Sequence, residues 1–126
     1  MSQLLYGPGV AMPGSSMTKE DALLYMRERQ DLRPYCIVRD WIWVDLDLNQ
    51  QQLNVLESTG KQPAIIYAHT VLFDSEKRLD IGDFVRTSPL VAFEDGYLFA
   101  TANTTYVLLG NGVRKLAKVE MVGRIF

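Results

Sequence analysis

The residues that could do chemistry are few and scattered. His69 is the only histidine and Cys36 the only cysteine. Nucleophilic catalysis would need His69 beside Cys36 or Ser88, with a third group orienting the ring. His69 lies inside the apolar run AIIYAHTVLF, which fits a half-buried strand residue. The catalytic alternative is a base in a concave pocket, served by Arg86 or an acidic partner. One His and one Cys fall short of the three or four N/S ligands that zinc takes. Asp45 and Asp47 share a strand face near Asp40, but two carboxylates supply too few oxygens for calcium or magnesium. No metal, no cofactor and no catalytic residue is assigned from the sequence.

The stretch TTYVLLGNGVRK offers a second possibility, because glycine-rich loops hold phosphates when a helix follows them. Here Val113-Arg114-Lys115-Leu116 alternates as a strand does. Asn111-Gly112 is the preferred dipeptide of a two-residue hairpin turn, so a hairpin is expected there. The basic residues of that hairpin, Arg114 and Lys118, fall on one strand face and with Arg86 suggest a nucleic-acid surface. Against this stands a net charge of −2, from 13 basic and 15 acidic residues. That is a thin electrostatic footprint for a polyanion partner.

Aromatic side chains give the best interaction signal. From Trp41 the chain alternates, with Trp41, Trp43, Asp45 and Asp47 on one side and Ile42, Val44, Leu46 and Leu48 on the other. The aliphatic side is expected to face the core. Trp41 and Trp43 would then be interface anchors with the aspartates as rim, unless a helix or the N-terminal arm covers them.

The elements that must position these groups follow from local signals. Residues 1–17 read as an extended arm broken by glycine and proline. Thr18 caps a helix from Lys19 to about Gln30, with Ala22, Leu23, Tyr25 and Met26 on its apolar face. Residues 35–48 are extended. Asn49 opens a second helix that ends at Gly60. After Pro63 the pattern is all strand, with Asp95-Gly96 marking another hairpin. The 126 residues suit one domain, and 48% apolar with 22% charged residues is ordinary for a soluble protein. No run approaches the ~18 apolar residues of a membrane span. A lone cysteine and no secretory pattern at the N-terminus favour the cytoplasm.

Two segments, Gly82-Asp83-Phe84-Val85-Arg86-Thr87-Ser88 and Asn103-Thr104-Thr105-Tyr106-Val107-Leu108, carry a resemblance. Over residues 82–115 the chain is similar to a group of small uncharacterised proteins encoded by bacteria and their prophages. The resemblance implies an accessory protein of a mobile element. It implies no activity, cofactor or site residue.

The expected fold is α+β, with the arm over 1–17 and a single domain over 18–126. In it two N-terminal helices pack on a strongly bent antiparallel sheet or small, partly open β-barrel of five to seven strands. The leading functional expectation is a non-enzymatic protein-interaction module using Trp41, Trp43, Asp45 and Asp47. The alternatives are a nucleic-acid-binding β-barrel using Arg86, Arg114 and Lys118, and a small enzyme with a pocket around His69.

Overall fold

The computed structural model describes residues 9–29 and 33–118. In chain order the elements are β1 (Val10–Pro13), α1 (Lys19–Glu28), β2 (Tyr35–Asp47), α2 (Gln50–Ser58) and β3 (Ala64–Asp74). They continue as β4 (Val85–Arg86), β5 (Ala92–Glu94), β6 (Leu98–Ala100), β7 (Thr105–Leu108) and β8 (Asn111–Lys118). No helix among the described residues is long and apolar enough to cross a membrane.

Both helices begin where their side chains direct. Thr18 Oγ1 accepts from the Asp21 N–H at 3.1 Å. Asn49 and Gln52 satisfy each other's backbone donors in a capping box. α1 buries Ala22 and Met26 in a cluster with Ile37, Leu98 and Val107. α2 buries none of its residues and connects β2 to β3. The expected pair of N-terminal helices on the sheet is therefore corrected. α2 offers only Leu53, Val55 and Leu56 as apolar contacts, and Val55 faces solvent.

The sheet departs from expectation in number and direction. It has eight strands, not five to seven, and it is mixed rather than antiparallel. β2 is its centre. One edge of β2 pairs antiparallel with β3, from Cys36↔Asp74 to Asp45↔Ala64. The other edge is divided: Tyr35 to Val38 pair in parallel with β7, and Ile42 to Asp47 pair in parallel with β8. β6 and β5 extend the sheet beyond β7, β1 flanks β8, and β4 flanks β3. The whole curls into a half-barrel.

The hairpin expected at Asn111-Gly112 does not form. β7 and β8 both run parallel to β2, so the chain keeps its direction through Leu109-Gly110. Gly110 carries the positive φ of 71°, and Asn111 and Gly112 are the first residues of β8. The local turn preference yields because each of these residues gains a ladder partner, Pro13 and Met12 of β1. Val10–Pro13 of the expected extended arm thus form β1; the first eight residues of the arm lie outside the described ones. The hairpin at Asp95-Gly96 does form, between β5 and β6.

The division of β2 is accommodated at Asp40, whose φ of 55° is left-handed. The β2–β3 register runs unbroken past Asp40, from Val38↔Val71 to Trp41↔Ala68, and all four of these residues belong to one core cluster; the register shift in this pair lies between Ile37 and Val38. That inner core joins Cys36, Val38, Trp41 and Trp43 of β2 to Ile66, Phe99 and Leu108. The other side of β2 holds Ile42 and Val44 with Ile65, Tyr67 and Ala117. Burial pushes the Cys36 thiol up to about 12, which leaves it an inert core side chain.

One buried charge ties the far end of β3 to the segment before β7. The fully buried Asp74 carboxylate accepts from the Arg78 guanidinium at 2.9 and 3.1 Å. It also accepts from the N–H groups of Arg78 and Leu79, and Arg78 Nη1 donates to Thr104 Oγ1 at 3.0 Å. Burial works to raise the Asp74 pKa, but Arg78 and the backbone donors outweigh it and hold it below its ordinary value. A depressed carboxyl stabilises the fold above its unfolded pKa of ~3.9, and the contribution is lost as pH falls through the lower folded value. Asp74→Asn should cost about 1–3 kcal/mol at pH 7 and flatten the stability loss below ~pH 4. Urea unfolding across pH 2 to 7 checks this; a wild-type midpoint for the variant at pH 7 would contradict it.

Candidate functional site

The structure separates the sequence-predicted site residues and pairs several with each other. Trp41 and Trp43 are 1% and 5% exposed, so they are core residues and not surface anchors. Trp41 Nε1 donates to the Leu109 carbonyl at 3.1 Å. The Trp43 ring meets Phe93 and Phe99 edge-on at 4.9 and 5.1 Å. The expectation that the aliphatic side of β2 faces the core misplaced them. Curling of the sheet gives the inner side to the indoles while the aliphatic side is buried as well.

Asp45, from the protein-binding set, and Arg114, from the nucleic-acid set, bind one another. Arg114 Nε and Nη2 donate to the two Asp45 oxygens at 2.6 and 3.0 Å. Trp43 Nε1 donates to Asp45 Oδ1 at 3.0 Å, and the guanidinium lies 5.3 Å from the Trp43 ring centre. The hydrogen bonding of Arg114 to Asp45 raises the Arg114 pKa. Asp47 and Lys118 occupy paired positions on β2 and β8, both exposed. Acidic and basic residues therefore share one strand pair, with Asp45 and Arg114 joined as an ion pair. Arg86 is on β4, beyond β3 from β2, so it does not join Arg114 and Lys118 in a basic stripe.

His69 is brought into a concave place. At the point where β2 changes partner, an open cleft of about 390 Å³ is lined by Asp40, Trp41, Ile42, His69, Asn111, Gly112, Val113, Lys115 and Gly9. Its acidic member is Asp40, while Arg86, Asp45 and Asp47 do not line it. Asp40 meets Arg39 at 3.8 Å and accepts from Thr70 Oγ1 at 3.4 Å, with both carboxylate and guanidinium well exposed. Lys115 is buried, and desolvation lowers its pKa. Among the described residues no group of three His, Cys, Asp or Glu side chains could hold a metal ion.

From His69 an aromatic row leads away from the cleft. Tyr67 meets His69 edge-on at 4.9 Å and stacks with Phe84 at 6.0 Å and 27°. Phe84 is 58% exposed, and Ile81 on the same loop is 70% exposed. The loop is held to β3: the Val71 N–H donates to the Asp83 carbonyl and the Gly82 N–H to the Val71 carbonyl, each at 2.8 Å. The Asp80 N–H donates to Asp83 Oδ2 at 2.9 Å.

Comparison with known proteins matches the chain to the family model described as a domain of unknown function (DUF6957), over residues 13–124. The chain belongs to the DUF6957 family. No curated protein and no solved structure matches it. In this DUF6957 domain the matched span runs from the last residue of β1 past the end of β8, so it includes the inner core and nearly all of the cleft lining. Sequence reasoning missed Asn111 and Lys115 as cleft residues, because their place depends on the parallel register of β8 against β2. It missed Ile81 and Phe84 because apolar residues beside a strand read as core.

Gly112 forms part of the cleft floor and lies directly against Trp41. A Cβ added there would come within 3.0 Å of three carbons of the indole ring. Gly112→Ala is expected to destabilise the protein by about 1–3 kcal/mol through overpacking. Urea denaturation followed by tryptophan fluorescence would register a lowered midpoint; an unchanged midpoint would refute the close approach.

Proposed function

We propose that this DUF6957 domain is a non-enzymatic module that binds another protein through the loop of Ile81 and Phe84. The observation that carries this reading is the exposure of those two large apolar side chains on a loop fastened to β3. A fastened loop loses little conformational freedom on binding, which favours affinity. Phe84 is backed by Tyr67, so its outer face is presented to a partner at a fixed angle. The exposed Asp80 and Asp83 flank the pair and form an acidic rim. An apolar centre with two carboxylates beside it suits a protein surface with an apolar patch and basic edge. The Asp45–Arg114 pairing adds support, since it removes a cation from the nucleic-acid alternative.

A cytoplasmic role as a bacterial or prophage accessory protein belongs to the same reading. It rests on the resemblance over residues 82–115 and on a free, buried cysteine.

Affinity capture from lysate of the natural host, with and without nuclease, tests the proposal. A nuclease-resistant protein partner is expected, and the double substitution Ile81→Ser with Phe84→Ser should reduce its recovery by about tenfold or more. Both side chains are exposed, so the double variant should keep its fold, checked by circular dichroism. Equal recovery by variant and wild type would remove this loop from the interface. Loss of all recovery on nuclease treatment would favour nucleic acid instead.

A further inference from the structure

We propose that the cleft at the β2–β8 junction binds a zwitterion of amino-acid size, its ammonium on Asp40 and its carboxylate on Lys115 and Asn111. This site is separate from the Ile81–Phe84 loop and does not depend on it.

The cleft volume of about 390 Å³ lies within the range of small-ligand sites. Its lining carries one carboxylate, Asp40, and one ammonium, Lys115. A simple anion would meet Asp40 unfavourably, and a simple cation would meet Lys115. A molecule carrying both charges satisfies both at once. Ile42 and Val113 offer apolar surface for an aliphatic body, while His69 and Asn111 stand exposed at the edge.

The present partners of these groups leave room for a ligand. The Asp40 contacts to Arg39 and Thr70 are long and solvent-exposed, so adding a second cation costs little. Lys115 already has an interaction of its own, and an ammonium has three donors to distribute. Burial disfavours its charged form, and an arriving carboxylate offsets that cost. Asp40 sits in left-handed backbone at the switch of β2 and lines the cleft there.

His69 is the chain's one histidine, so its imidazole proton resonance is an unambiguous reporter in the intact protein. The standard amino acids would be titrated in turn, followed by the amide and the N-acetyl derivative of the best binder. A saturable His69 shift is expected for at least one amino acid. Each derivative, lacking one charge, should bind about tenfold or more weakly. Asp40→Asn and Lys115→Met should each weaken binding by at least about fivefold with the amide spectrum otherwise preserved. If Lys115→Met fails to fold, Asp40→Asn decides alone. No saturable shift with any amino acid overturns the proposal, as does equal affinity for a one-charge derivative. Either result leaves the Ile81–Phe84 reading standing.

Discussion

β2 must satisfy the backbone donors and acceptors of 13 residues along two edges, and no single strand covers the second edge. β3 accounts for one side. On the other, β7 stops at Leu108 and β8 resumes the pairing with Ile42, leaving Arg39 to Trp41 at the join. Two departures from regular strand geometry make this possible. Asp40 adopts a left-handed backbone, and Gly110 supplies the positive φ that turns β7 into β8. The curled sheet encloses Trp41 and Trp43.

The surface chemistry follows from the same division. Where β2 and β8 run together, acid and base rows from opposite strands meet, and Asp45 with Arg114 closes on itself. Such an exposed pair contributes only ~0.2–1 kcal/mol, but it fixes the charge pattern a partner would meet. Where β2 changes partner, the ladder opens and Asp40, His69, Asn111 and Lys115 gather around one cleft. Ligand clefts often form where neighbouring strands part company, because backbone groups and side chains there face outward together. The Ile81–Phe84 loop stands apart, held by β3 rather than by the divided edge.

Features set by a few adjacent residues were legible in the sequence. Thr18 and Asn49 marked helix starts, and Asp95-Gly96 marked a hairpin. Asn111-Gly112 is chemically the same kind of signal, yet there non-local pairing with β1 and β2 overrides the local preference. Alternation from Trp41 sorted the side chains of β2 into two sets but could not choose the inner one, since Trp41 and Trp43 on one side and Ile42 and Val44 on the other are all buried. His69 stood out as a pocket candidate because it is unique. Its neighbours in the cleft come from β8, far along the chain, and only the register brings them together.

The divided edge of β2 also governs the order in which the molecule can complete itself. Val38 waits for Leu108 and Asp47 for Lys118, so during synthesis that edge stays unpaired until almost all of the described chain has been made. Contacts spanning so much sequence carry a high loop-closure cost before they return anything, which places this topology among slow folders for its size. A nascent chain holding β2 and β3 without β7 and β8 presents a long, bare strand edge flanked by two tryptophans. Protection of that edge is a demand the topology places on the cell before any function of the finished protein begins.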